Sequence, residues 1–364
     1  MTEREKEILA IIQENPTISQ EELAFEMGIS RSGVAAHIHN LMKKGYIKGK
    51  GYIVNNPSFV SVIGGINMDI VAVPEVEMIK NNSNPGKINY YFGGAGRNMA
   101  LALTKLGIST NLISVYGDDV NGDRFVLDAR MHGLALDCCE KISSFNTSTF
   151  VYLEDLVHDF RVGLDDMRIL ENISPEMINR YLQRVNQSKL CVIDDNLSEE
   201  TIKHIEKYVD VPIVAKSVSI NKVTKLVPIL HKLDVLVLSE LELQTLSKKL
   251  SNNQESRDVQ IRKLIEQGVK EVIVVEKSGN VQFNSSQESY EIQKKISPEF
   301  NINGSTAVFT STMIWAMVQE KYSKKQQFEI GYCGATTSYL TNDSVFEGLS
   351  KEIILDKYQK YFCD

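Results

Sequence analysis

From Phe59 onward, short apolar runs alternate with amphipathic stretches, and that alternation constrains the fold more than any other feature of the 364 residues. The runs 59–63, 110–115, 190–193, 212–215, 235–238 and 271–275 read as buried strands. Stretches between them, such as 199–208 and 259–267, carry helical spacing. A chain of this kind predicts an α/β fold, with a mostly parallel sheet covered on both faces by helices. Residues 70–92 and 146–164 break the rhythm. They alternate in period two (Ile88, Tyr90, Phe92; Phe150, Tyr152), as the strands of a small antiparallel lid would.

The first 54 residues are organised differently. Thr2 and Glu5 form a capping-box pair ahead of an apolar stripe of Ile8, Leu9, Ile11 and Ile12. Ser19 and Glu22 repeat the device before Leu23, and Gly28 closes that helix. Ser30 caps a third helix with Val34, Ile38 and Leu41 inside, and residues 46–54 read as strand, glycine turn and strand. Three short helices and a small hairpin make a winged helix-turn-helix, and the segment resembles the DNA-binding heads of bacterial regulators. Residues 55–58 would be the linker, and 59–364 the large domain.

Charge follows the same division. The seven glutamates of the head all precede Gly28; from there to Val54 stand five basic residues, two histidines and no acid. A recognition helix would bring Arg31 and Ser32 to base edges, with Ala35, Ala36 and His37 or His39 behind them. Lys43, Lys44, Lys48 and Lys50 would meet phosphates. The plainer alternative is a three-helix protein-interaction module with a basic edge. A net charge of −7 argues against wholesale coating of nucleic acid. The five cysteines, Cys138, Cys139, Cys191, Cys333 and Cys363, show no metal-ligand spacing and read as reduced thiols. No apolar run approaches a membrane span, and the acidic N-terminus is unlike a signal peptide, so the cytoplasm is expected.

Residues 300–308 read Phe-Asn-Ile-Asn-Gly-Ser-Thr-Ala-Val, ahead of an apolar run with helical spacing. That is where a phosphate-cradling turn opens a helix. Upstream stand 84–89, Asn-Pro-Gly-Lys-Ile-Asn, and 93–98, Gly-Gly-Ala-Gly-Arg-Asn. Gly117-Asp118-Asp119-x-x-Gly122 and Asp194-Asp195-Asn196 follow in order. Together these segments resemble the ribokinase-like (PfkB) carbohydrate kinases, nearest to the pseudouridine kinases that often carry a DNA-binding head. The resemblance spans nearly everything from Phe59 to the C-terminus. It implies a doubly wound, mostly parallel sheet with a small β lid.

The resemblance also implies roles. Asp69 would bind acceptor hydroxyls, since each carboxylate oxygen can accept from one of a vicinal pair. Asn67, Gly93, Gly94 and Asn98 would complete the sugar site, with Asp195 or Asn196 reaching in from another strand end. The nucleotide half departs from the family pattern. The final Asp of the signature Asp/Asn-x-x-Gly-Ala-Gly-Asp, the general base, is Ala307, and the anion hole reads Gly304, Ser305, Thr306. Of Asn-x-x-Glu, which organises Mg²⁺ and phosphate, only Glu242 remains. Lys216-Ser217 stands in place of Asp-Pro, and 275–280 lack two glycines of the segment that lies against ATP. Losing a general base alone costs ~10²–10⁴-fold.

Three readings follow. In the first, the chain is a DNA-binding transcriptional regulator, expected as a homodimer, whose impaired kinase domain senses a sugar or a pseudouridine-like nucleoside. In the second, it is an atypical but working kinase using ATP and Mg²⁺, with Glu242 or a water as base. In the third, it is a scaffold with an empty site.

Overall fold

The computed structural model describes residues 1–47, 59–154, 160–251, 255–276, 278–293 and 302–363. The chain divides into two units, Met1–Pro57 and Ser58–Asp364. The first holds α1 (Glu3–Glu14), α2 (Gln20–Met27) and α3 (Arg31–Lys43). Both capping boxes form, each pairing a hydroxyl with a third-position amide while the glutamate returns to the cap backbone. Gly28 ends α2 in the left-handed conformation, with φ 62°. Ile8, Ile12, Leu23, Val34, Ile38 and Leu41 make the core. The expected hairpin 46–54 lies outside the described residues from Lys48 on, and so does the linker 55–58.

The second unit is built on β1 (Phe59–Ile63), β2 (Asn67–Pro74), β3 (Gly86–Gly93), β4 (Ser109–Gly117) and β5 (Cys139–Ile142). Next come β6 (Thr149–Glu154), β7 (Phe160–Asp166), β8 (Cys191–Asp194), β9 (Ile213–Lys216) and β10 (Leu233–Ser239). The strands end with β11 (Glu271–Val275), β12 (Val281–Ser285) and β13 (Ser289–Ile292). Among them are woven α4 (Ala95–Lys105), α5 (Val120–Met131), α6 (Pro175–Val185), α7 (Glu199–Tyr208), α8 (Glu240–Leu250) and α9 (Arg257–Glu266). α10 (Ile302–Val318), α11 (Lys324–Ala335) and α12 (Lys351–Tyr358) follow.

The main sheet has the order β13-β12-β11-β10-β9-β8-β1-β4-β5 and is parallel from β11 to β5. Successive strand residues point to opposite faces. Val235 and Val237 of β10 therefore join a core with α4, α10 and α11, while Leu236 and Leu238 join one with α6 to α9. Both faces are covered, which is why these runs show no polar alternation. The antiparallel hairpin β12–β13 at the edge was not foreseen in the sequence.

β3, β2, β6 and β7 form a separate four-stranded sheet. Its outer pairs are antiparallel, but β2 and β6 run parallel, which corrects the expectation of an antiparallel lid throughout. The chain leaves this sheet after β3, builds α4 to β5 in the main body, and comes back in the original direction as β6. The Gly-Asp-Asp motif anchors that return. Asp119 caps α5 through Gly122 N and also accepts from the backbone and hydroxyl of Thr147, at 2.8 and 2.7 Å.

Candidate functional site

One buried aspartate aligns the floor of the site. Asp194, at the C-terminal end of β8, accepts from the backbone N–H of Gly65 and Gly96 through Oδ2, each at 2.9 Å, and from Asn196 N at 3.0 Å. This fixes the turn after β1 against the first turn of α4. Above it lies a cavity of about 280 Å³ whose lining includes Asn67, Asp69, Gly94, Asn98, Phe150, Asp165, Asn196, Lys216, Lys222, Gly304, Thr306, Ala307 and Ser344. Lid, main sheet and the start of α10 all contribute. A wider cleft of about 1010 Å³ shares Asp165, Met167, Asn196 and Lys222 with it.

Asp69 comes from the inward face of β2. Burial raises its carboxyl to about 6, although the Asn67 hydrogen bond and the nearby Arg97 pull the other way. Asn98 accepts from Arg97 Nη1 through its carbonyl oxygen at 3.0 Å, which leaves its NH₂ for other acceptors. A hydroxyl-rich ligand would thus meet a carboxylate acceptor and an amide donor. Gly93 has a different task from the one expected: a Cβ there would stand 2.3 Å from Asp69 Oδ2, so its missing side chain makes room for the carboxylate. Gly94 does line the cavity.

Two expected site residues are engaged elsewhere. Asp195 accepts from Ser217 Oγ and Val218 N, at 2.7 and 2.9 Å, and is wholly buried. Burial, reinforced by Asp194 and Glu242, pushes its carboxyl up to about 7 despite those bonds. Asn196, its neighbour, is the residue that reaches the cavity. Glu242 is the third residue of a capping box on α8, where it accepts from Ser239 N at 2.7 Å. The Ser-x-x-Glu signature for that cap was present in the sequence. One oxygen of this carboxylate is thus taken up by the helix cap rather than aimed into the cavity. Among the described residues no group of three or more His, Cys, Asp or Glu could hold a metal.

On the far wall, Gly304 has φ 101°, and a Cβ on it would stand 1.9 Å from the carbonyl oxygen of Ser344. Only glycine fits that turn. Thr306 and Ala307 line the cavity, and Ser305 is buried without lining it. Helix α10 is already under way at Ile302, two residues ahead of the glycine. Phe300 and Asn301 lie outside the described residues. No sequence pattern signals that Asp165, Lys222, Ser344 and Phe150 meet here, because each is brought in by a distant segment.

In the head, the exposed side of α3 carries Ser32, Ala36, His39 and Lys43 at helical spacing, opposite Val34, Ile38 and Leu41. His39 therefore lies in the outward stripe, while His37 is half-buried. Arg31 pairs with Glu21 at 3.1 Å on the surface. Lys44 does not project freely as the sequence suggested. It donates to both oxygens of the buried Glu5, at 2.9 and 2.7 Å. Lys48 and Lys50 lie outside the described residues.

A family model described as pfkB family carbohydrate kinase matches residues 57–298, and one described as winged helix-turn-helix DNA-binding matches residues 1–48. The chain is 34% identical over 275 residues to the "Uncharacterized sugar kinase YeiI" of Escherichia coli (strain K12), covering 75% of this chain and 76% of that protein. It is 32% identical over 190 residues to the pseudouridine kinase of the same organism, covering 52% of this chain and 61% of the relative. Solved structures share the fold. The ribokinase of Thermotoga maritima superimposes with TM-score 0.72 at 18% identity, over 83% of this chain and 99% of that one. The Arabidopsis thaliana ribokinase complexed with ribose and ATP gives 0.70 at 20%, over 83% and 99%.

Proposed function

The chain belongs to the pfkB family of carbohydrate kinases, and from that membership we propose that it acts as a DNA-binding regulator whose kinase-like unit binds a sugar or nucleoside as effector. Phosphoryl transfer is weak or absent. The lining of one cavity carries this reading. Asp69 and Asn98 supply the groups that hold hydroxyls, whereas Ala307, on the same cavity, has nothing that can take a proton. The likeness to a pseudouridine kinase favours a nucleoside with a ribosyl group. DNA is contacted by the outward stripe of α3, in the manner of helix-turn-helix heads.

The regulator acts as a homodimer. Tyr90, Ile70, Val151 and Leu164 stand in register across all four strands of the lid, and Ile88, Ala72, Leu153 and Val162 make the next row. These rows share the lid's outer face, where Leu164 is 76% exposed and Ile88 61%. An apolar face of this kind suits a second copy, and two heads on one dimer suit a palindromic site.

A second reading, a working ATP-dependent kinase, draws on the names of the relatives. It needs a base. Glu242 is engaged by the α8 cap and does not line the cavity, so of the two candidates, Glu242 and a water, the second is favoured. Gel-shift titration of the protein over its own upstream DNA, with and without pseudouridine or ribose, tests the proposal. A complex that responds to the nucleoside supports it. A full chain that ignores duplex DNA at low salt ends it.

A further inference from the structure

Four charged side chains line the 280 Å³ cavity: Asp69, Asp165, Lys216 and Lys222. Two of them satisfy each other. Lys222 donates to Asp165 Oδ2 at 3.1 Å and to Asn196 Oδ1 at 2.9 Å. The side-chain ammonium of Lys216, the last residue of β9, has no hydrogen-bond or ion-pair partner among the described residues.

The acids nearest to Lys216 in the sheet do not neutralise it. Asp194 is its register partner on β8, but that carboxylate is taken up by three backbone N–H groups. Asp195 is turned to Ser217 and Val218, and its backbone carbonyl receives Lys225. An ammonium half-buried on a cavity wall with no side-chain partner is a ready contact for an anionic ligand. On the same cavity, Ala307 puts a methyl group where the family pattern has a carboxylate. That change removes a charge that would repel a phosphomonoester.

We propose that the ligand of this cavity is a phosphorylated sugar, a pentose phosphate or nucleoside monophosphate, with its hydroxyls on Asp69 and its phosphate on Lys216. The inference rests on the sensor reading and sharpens it. The regulator then responds to a kinase product rather than a kinase substrate. Its cavity offers a carboxylate to hold a diol and an ammonium to hold an anion. Any enzyme that phosphorylates the same nucleoside or pentose would supply the signal.

Calorimetry on the full chain tests this with ribose, ribose 5-phosphate, uridine, uridine monophosphate, ATP and inorganic phosphate as probes. A charge-assisted contact predicts that each phosphomonoester binds about tenfold or more tightly than its parent. The ratio should collapse in Lys216→Gln and persist in Lys216→Arg. In the unmodified protein the same ratio should shrink as ionic strength rises, a readout that needs no variant to fold. Ribose and ribose 5-phosphate binding equally, both through Asp69, would overturn the inference and leave the sensor reading standing. Inorganic phosphate binding as tightly as the sugar phosphate would also overturn it, because the sugar would then contribute nothing. ATP binding more tightly than the monoester, alongside ribose, would favour the kinase. Absence of binding by every pentose and nucleoside ends both readings.

Discussion

Asn67 donates a hydrogen bond of 2.5 Å to Oδ1 of Asp69, two places along the same face of β2. The amide orients the carboxylate toward the cavity while leaving Oδ2 for a ligand. On the proposed reading, Asp69 is the titrating group of the sugar site.

Ligand affinity should follow its ionisation. Burial holds the carboxyl near 6, above the usual 3.8, so the folded protein binds this proton more tightly than the unfolded chain does. That linkage favours the folded state at low pH and is lost as pH rises through about 6. Binding runs the opposite way, because hydroxyl donors need the ionised form. Affinity for uridine, measured by calorimetry, should weaken severalfold between pH 7.5 and 5. In Asp69→Asn affinity should be low and flat with pH.

Turnover should be negligible. With ATP, Mg²⁺ and pseudouridine or ribose, the purified protein should fall well below the ~1–100 s⁻¹ of ordinary kinases in a coupled assay. Ala307→Asp should not restore such rates, since the Glu242 carboxylate remains in its cap. Full rescue by that single change would show that the nucleotide side is intact.

Asp194→Ala should destabilise the large unit by about 3 kcal/mol or more in urea unfolding, because three N–H groups lose their shared acceptor in the interior. Asp194→Asn, which keeps one acceptor oxygen, should cost less.

In the head, Lys43 and Lys44 should behave differently although adjacent. Lys43→Ala should reduce the salt slope of DNA binding by about one and leave stability unchanged. Lys44→Ala strands the Glu5 carboxylate, so it should lower the melting temperature of the head by several degrees, about 1 kcal/mol. The Lys44 hydrogen bond, with help from Thr2 N, holds the Glu5 carboxyl below 4.5. Its stabilisation is present above that value and fades as pH falls through the lowered one. Circular dichroism melts at pH 7 and 3 check both statements.

Leu164→Asp or Tyr90→Glu should convert a dimer to a monomer in sedimentation velocity, since each puts a charge at one end of an exposed apolar row. A monomeric unmodified protein would remove the dimer from the proposal.

The sequence carried the local structure well. Ser30, Ser19 and Thr2 announce their helices because capping is decided within three residues. The strand runs were legible because burial on both faces leaves a continuous apolar signature. What it could not carry was the assembly of the cavity. Asp165, Lys222 and Ser344 meet there through tertiary contacts that leave no periodic trace. Glu242 is a different case. Its neighbourhood contained both a degenerate family motif and a complete capping box, and the shorter-range physics decided its position. Lys216 was visible as a departure from the family pattern, but its lack of a partner is a property of the folded chain.

The two carboxylate anchors also govern how the site can move. Asp194 pins Gly65 just before β2 begins, and Asp119 pins Thr147 just before β6. Between those points Met68 N bonds to Ser148 O at 2.9 Å, tying the starts of the two strands together. The starts of β2 and β6 are therefore fastened both to the main body and to each other. Asp69 lies one residue past that Met68 tie. The carboxylate offered to a ligand thus sits at the fastened end of the lid, not at its free end.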